Sequence, residues 1–262
     1  MNPYLPIRKV PLDYNGISSS AYAVQMQHQA KDGVEWKEAG VVGHNYMLLP
    51  NEEVKSAAHQ VSEECKIDFT HDKTFFNGRN FVYSMKSQHV AGEIQVGDDV
   101  ALGMQFWNSY DGSKAFGFAM MLYRLICTNG MMSKDHFNTY RFKHEPKSED
   151  WSDSLEQVVT NIINLVSGTY QLDDLIENLR KLSNMEVTMD VLGNIRHNHL
   201  QEIPVSIWGQ IVDRFTHTSK EDYSGWNLLN ASTDLLWHKE NPTITTYSQN
   251  AAIVDGLCKA VA

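Results

Sequence analysis

Apolar positions follow two periods along this chain. Through most of the first half they recur at every second residue, and beyond Trp151 at every third and fourth. These are the marks of half-buried strands and of amphipathic helices. The least polar stretch, Asp98–Met132, holds a tight turn, Tyr110-Asp111-Gly112-Ser113, between two oily runs. An Asp-Gly pair between alternating hydrophobics predicts a hairpin with a type I′ turn, in which both central residues have φ > 0. Leu102, Met104 and Phe106 share one face of the incoming strand and Gln105 takes the other; Phe116, Phe118, Met120 and Leu122 share a face of the outgoing one. The same alternation carries Arg124 onto the core face. A guanidinium there requires either a carboxylate partner or an opening onto a ligand.

Around that hairpin the pattern predicts further elements. Residues 1–18, with Pro3, Pro6 and Pro11, have no apolar period and read as an irregular arm. Strands are expected at Ala21–Gln29, Val34–Val42 and His44–Leu49, with a turn at Lys31-Asp32-Gly33. Asn51 is placed to cap a helix over Glu52–Cys65, where Val54, Ala57, Ala58, Val61 and Cys65 form an apolar stripe and Glu52 and Glu53 favour the positive end of the helix dipole. A second hairpin reads Thr74–Phe76, Asn77-Gly78, Arg79–Met85, and Thr139–His144 alternates again. Helical spacing then runs through Leu155–Val166, Leu172–Leu179, Met189–Leu200, Val205–Phe215, Trp226–Trp237 and Tyr247–Val261. Breaks fall at Gly168, Ser183, Pro204, Ser224-Gly225 and Pro242. The fold class is α+β: antiparallel hairpins and one helix over 1–148, helices over 149–262. The boundary near 146–150 is either a domain boundary or a junction within one compact unit.

Charge changes the picture next. The net charge of −10 is uneven, with 15 basic against 16 acidic residues in 1–148 and 7 against 16 in 149–262. Residues 112–147 carry six bases (Lys114, Arg124, Lys134, Arg141, Lys143, Lys147) against Asp135 and Glu145. Such a segment guides a polyanion to one face, or is simply solvated. The three cysteines, Cys65, Cys127 and Cys258, are far apart and fit a reducing cytoplasm rather than a disulfide framework. No run of 18 apolar residues and no charged-then-apolar leader is found, so neither a membrane span nor a secretory signal is expected.

The phosphate-cradling glycine patterns, the nucleophile elbow and the kinase set are absent. Of eleven histidines only His197 and His199 are close. Two apart on a helix they face different ways, so no metal and no cofactor is expected. The second hairpin interleaves Phe75, Phe76, Arg79, Phe81, Tyr83 and Lys86, and the later strand Tyr140, Arg141, Phe142, Lys143 and His144. Arg141 and Lys143 share one face of that strand, and Tyr140, Phe142 and His144 the other. A cationic groove with aromatic platforms holds single-stranded nucleic acid, each stacked base contributing roughly 1–3 kcal/mol. Aromatic residues are also ordinary sheet-core residues.

The segments Asn108-Ser109-Tyr110-Asp111-Gly112-Ser113 and Tyr123-Arg124-Leu125-Ile126-Cys127-Thr128-Asn129-Gly130 resemble a phage- and plasmid-borne family, domain-of-unknown-function family nine-three-two. Its pattern is Asn-Ser-x-Asp-Gly-Ser, then Arg, two hydrophobics, Cys-x-Asn, then hydrophobic-x-His. Phe142-Lys143-His144 is similar to the last part, and Asn77-Gly78-Arg79, Val41–Tyr46 and Asn230-Ala231-Ser232-Thr233 with His238 are similar to flanking parts. The resemblance, from Val41 to His238, implies a mobile-element protein in the host cytoplasm and supplies no mechanism. The element order also resembles Rad-fifty-two-type single-strand annealing proteins, which assemble into rings or filaments. That is likeness of fold alone.

The expectation is a homo-oligomeric protein of recombination or replication that binds or anneals single-stranded DNA, or RNA, without enzymatic activity. Arg79, Lys86, Lys114, Arg124, Arg141 and Lys143 would meet phosphates, and Phe81, Tyr83 and Tyr140 would stack on bases. It requires Arg124 to be open and those rings to face outward. An enzyme with a site at Asn108, Asp111, Arg124, Asn129 and His144, and a protein that binds a host factor through its acidic helices, are the alternatives.

Overall fold

Prolines do not keep the N-terminus irregular. In the computed structural model Ile7–Tyr14 is a strand (β1), paired antiparallel with Ile17–Ala30 (β2), which pairs in turn with Gly33–Gly43 (β3). Pro11 sits where the β1–β2 register shifts, and β1 belongs to the sheet's edge, where a missing N–H is tolerated. The expected strand over His44–Leu49 is absent, and that segment is a turn followed by extended loop. The structure describes residues 2–31, 33–126, 129–133, 139–144, 156–157, 159–160, 163–164, 172–219, 222–239 and 244–262, with the side chains of residues 14, 139, 140 and 244 excepted. The junction at 145–150 and most of the helix expected at Leu155–Val166 lie outside them.

Helix α1 (Asn51–Cys65) buries Val54, Ala57, Ala58 and Val61, as its spacing predicts, while Cys65 is half-buried. Its first turn is not capped by Asn51. Pro50 holds the cap position without a side-chain bond, and the Asn51 amide is buried and used elsewhere. Strands Phe69–Phe76 (β4), Asn80–Gln95 (β5), Asp98–Ser109 (β6), Phe116–Arg124 (β7) and Gly130–Met132 (β8) line up in that order in a second sheet, with Thr139–Phe142 (β9) also on β7. The expected hairpins are β4–β5 and β6–β7.

Two details of the central hairpin differ from expectation. Gly112 has φ 70° but Asp111 does not have positive φ, and six residues join the strands, so the turn is not a two-residue type I′ turn. Instead Asp111 Oδ1 accepts the Ser113 N–H at 3.0 Å, an Asx-type closure. The strands also lack a wet face: Phe116 to Tyr123 are buried without interruption, and Gln105 is buried beside Met104 and Phe106. An unbroken apolar run is what a strand covered on both sides requires.

The helices are α2 (Leu172–Asn184), α3 (Met189–Asn198), α4 (Val205–Thr218), α5 (Gly225–Trp237) and α6 (Ile244–Lys259). Thr188 and Ser224 cap α3 and α5 through their hydroxyls. The fold is therefore α+β, with antiparallel sheets in the N-terminal part and helices in the C-terminal part. Its compact units do not follow one cut near 146–150. Unit 1 comprises Met1–Met85, Gln105–Phe118 and Tyr140–Ser167; unit 2 comprises Lys86–Met104, Ala119–Thr139 and Gly168–Ala262. Unit 1 has a core of Val24, Met26, Ala39, Val42 and Tyr110.

Candidate functional site

In unit 1, three segments far apart in sequence border one open cleft of about 470 Å³: Gly43–Tyr46, Gly112–Ala115 and Lys143-His144, with Ser20 beside them. Each is held in place by a nameable contact. Lys9 Nζ donates to the carbonyls of His44 (2.8 Å) and Tyr46 (2.9 Å), pinning the loop after β3. Tyr46 donates its hydroxyl to the Ser109 carbonyl at 2.6 Å, which ties the loop to the central turn. Burial pushes the Tyr46 phenol pKa far up, so it stays a donor. Ser109 Oγ accepts the Lys114 N–H and donates to the Lys114 carbonyl, closing the turn from within. Gly40 is a close-approach glycine: a Cβ there would lie 2.6 Å from the Asp111 Cα.

His144 forms one wall. Its ring stacks on Tyr46 with centroids 4.5 Å apart, and its Nδ1–H donates to the Met47 carbonyl at 2.9 Å while the Met47 N–H returns a bond to the His144 carbonyl. Desolvation lowers its pKa, against the raising influence of that carbonyl. The ring is therefore neutral with a fixed tautomer, but its Nε2 is buried, so the nitrogen is sealed from an incoming substrate.

The cations at the cleft are Lys114 and Lys143, both exposed. Exposed Arg141, on β9, lies two residues before Lys143, which follows the strand's end. Exposed Arg79 belongs to the segment whose carbonyl accepts the Tyr110 N–H at 2.8 Å, and the adjoining Asn80 accepts from the Ser113 hydroxyl. Lys86 is half-buried and belongs to unit 2.

Other expected residues are placed differently. Phe81 and Tyr83 are core residues, 0 % and 2 % exposed. Phe81 meets Tyr4 and Phe76, and Tyr83 meets His59 and His71. Neither ring can stack on a base, because β5 is covered on both faces there. The Tyr140 side chain and Cys127 lie outside the described residues. Arg124 is closed off in unit 2: its Nε and Nη2 meet Asp98 Oδ1 and Oδ2 at 2.7 and 2.6 Å, and Trp226 Nε1 donates to the same Oδ2 at 2.8 Å. A groove built on Arg124 and on the rings of Phe81 and Tyr83 is thus not the interface. Of the five polar residues of the enzyme alternative, His144 alone lines the cleft of unit 1. Asn108 is buried, donating to Leu49 O and Asn51 Oδ1, Asp111 closes its own turn, and Arg124 and Asn129 belong to unit 2.

The remaining motif residues of unit 2 do meet one another. Asn129 Nδ2 donates to the Asn230 carbonyl at 3.4 Å, and its Oδ1 lies 3.0 Å from His238 Nε2. Thr233 Oγ1 donates back to its own helix at Leu229 O, a structural role. Among the described residues, no group of three His, Cys, Asp or Glu side chains is placed to hold a metal, and no helix is long and apolar enough to cross a membrane.

The cleft residues not foreseen are Ser20, Gly43, His44, Asn45, Tyr46 and Ala115, together with Lys9, which holds the loop from outside the cleft. For His44 and Asn45 the signal was the Val41–Tyr46 segment itself; for Ser20 and Lys9 no local pattern exists.

No curated protein and no solved structure matches the chain, so the likeness to Rad-fifty-two-type proteins is not confirmed. A family model described as "Domain of unknown function (DUF932)" matches residues 38–255. That span takes in both lysine-bearing edges of the cleft and the Asn129–His238 contact, and by it the chain belongs to the DUF932 family.

Proposed function

We propose that unit 1 binds the sugar-phosphate backbone of single-stranded nucleic acid through charge rather than through stacking. The supporting observation is that exposed Lys114 and Lys143 border one cleft, with Arg141 and Arg79 on the segments that lead to it. Ammonium groups on a solvent-open rim suit a flexible polyanion, since each phosphate neutralised releases a counterion. The negative net charge opposes this binding at long range, while the counterions released at the cleft set its salt dependence. A role in the recombination or replication of a mobile element, as a homo-oligomer in the host cytoplasm, belongs to the same proposal. The sealed Nε2 of His144 favours binding over catalysis.

Fluorescence anisotropy of a labelled oligonucleotide tests it. With four cations engaged, log K falls against log salt with a slope of about −3. The proposal fails if micromolar protein at low salt leaves the anisotropy unchanged. Competition by inorganic phosphate at equal phosphate concentration would instead assign the cleft to a small anion.

A further inference from the structure

Strand β3 in unit 1 is a sheet edge. Its sheet runs β1-β2-β3, and among the described residues no backbone hydrogen bond reaches its outer side. Over Val34–Glu38 the strand is open to solvent: Val34 is 53 % exposed, and Glu35, Lys37 and Glu38 are exposed beside it. An accessible row of unpaired N–H and C=O groups is a template for a further strand.

The pairing of β2 decides which of these groups point outward. The Gln27 N–H donates to the Pro6 carbonyl, so Gln27 turns its backbone away from Trp36, its β3 partner. Direction alternates along an antiparallel pair. Val34, Trp36 and Glu38 therefore present their backbone groups outward, and Glu35 and Lys37 present theirs to β2. The regular run ends at Ala39, which the register shift leaves without a partner. The Trp36 ring leaves the edge clear, because it turns back over β2 to meet the Arg8 guanidinium of β1 at 4.1 Å.

Two copies of this edge fit one another. With a twofold axis through Trp36, antiparallel pairing joins Val34 to Glu38 and Trp36 to Trp36 through their outward backbone groups. Between those bonds Glu35 stands opposite Lys37 of the second copy, and Lys37 opposite its Glu35. These are the closely spaced pairs of a ladder, where opposite charges attract and like charges destabilise. Moving the axis by one residue sets Lys37 against Lys37, or Glu35 against Glu35. Among the described residues neither charge has an ion-pair partner in its own chain. An edge lysine by itself repels another strand, whereas a glutamate two residues before it makes the edge self-complementary.

We infer that the β3 edge binds a second copy of this chain, joining the two three-stranded sheets into one across a twofold axis. The inference gives the homo-oligomer proposed above its contact surface, and rests on that part of the reading and not on nucleic-acid binding.

Sedimentation velocity of the full chain, from micromolar to submillimolar concentration, is expected to show reversible dimers of the 29.8 kDa chain. Glu35→Lys and Lys37→Glu, made separately, each set like charges opposite one another and are expected to weaken the dimer at least tenfold. Mixing the two single variants, or combining them in one chain, restores opposite charges and is expected to restore dimers. Val34→Pro loses an N–H that faces outward, so it is expected to abolish dimers with the circular dichroism spectrum unchanged. A chain that stays monomeric throughout overturns this inference together with the homo-oligomer reading. Dimers that survive both charge variants and Val34→Pro overturn this inference alone, as does failure of both the mixture and the double variant to recover them.

Discussion

Arg124 and Asp98 face each other at the open end of the central hairpin in a two-pronged ion pair, with N–O distances of 2.7 and 2.6 Å. Their side chains are 17 % and 7 % exposed, and Trp226 closes the far side of the carboxylate. Removing one partner leaves a nearly buried charge without its counter-charge. Asp98→Ala is therefore expected to destabilise by about 3–5 kcal/mol, read as a lower urea midpoint. Replacing both, as Asp98→Leu with Arg124→Met, is expected to recover most of that loss and to leave oligonucleotide affinity unaltered. A tenfold loss of affinity in the double variant would return Arg124 to the interface.

Gly117 faces Trp107. A Cβ at that position would lie 2.2 Å from the indole carbons, and a buried six-membered ring cannot swing aside as a long aliphatic chain does. Gly117→Ala is expected to cost about 1–3 kcal/mol. Gly193→Ala, with nothing within 4 Å on a helix, is expected to stabilise by up to about 1 kcal/mol. Thermal unfolding of the two single variants, shifted in opposite directions, checks both.

Periodicity carried α2 because it has one stripe to bury, and Leu175, Ile176, Leu179 and Leu182 show it intact, whereas α5 is buried nearly all round. Periodicity could not carry β1, whose three neighbouring prolines resemble a loop until β2 is there to pair with. The sealed end of the hairpin was partly readable. The Leu125 N–H bonds to the Asp99 carbonyl, which sets Arg124 opposite Val100 and Asp98 one diagonal step along on the same face, within reach of a long side chain. The buried rings of Phe81 and Tyr83 were not readable, since alternation tells which residues share a face and not whether the second face is covered. The cleft lay beyond any local pattern: Lys9, Tyr46, Ser109 and His144 meet only through tertiary hydrogen bonds and stacking.

Charge and stacking separate cleanly by mutation. Phe81→Leu is expected to weaken the core by about 1–2 kcal/mol through lost volume and to leave strand binding intact, because the ring faces Tyr4 and Phe76. Lys114→Glu and Lys143→Glu are expected to do the reverse. Each would lower oligonucleotide affinity about tenfold and flatten the salt slope by about 0.7, with the melting temperature unchanged. Anisotropy and thermal unfolding measured on all three variants check the pattern, and affinity lost in Phe81→Leu alone would restore the stacking surface.

His144 gives unit 1 a pH dependence whose sign is fixed by burial. Its pKa in the fold is below the ordinary 6.5, chiefly because desolvation disfavours the imidazolium. As pH falls through 6.5 the unfolded chain takes up the proton first, and the folded chain, with the ring packed on Tyr46, does not. The stabilisation is thus complete above 6.5, declines as pH falls from there towards the lowered value, and levels off once both states are protonated. Urea midpoints measured from pH 8 to pH 5 are expected to drop on the acid side. In His144→Phe, which keeps a ring against Tyr46 but cannot titrate, the drop is expected to be smaller even though the variant is weaker at pH 8 for want of the bond to Met47. Parallel profiles for the two proteins would mean that another group, not His144, sets the acid limit.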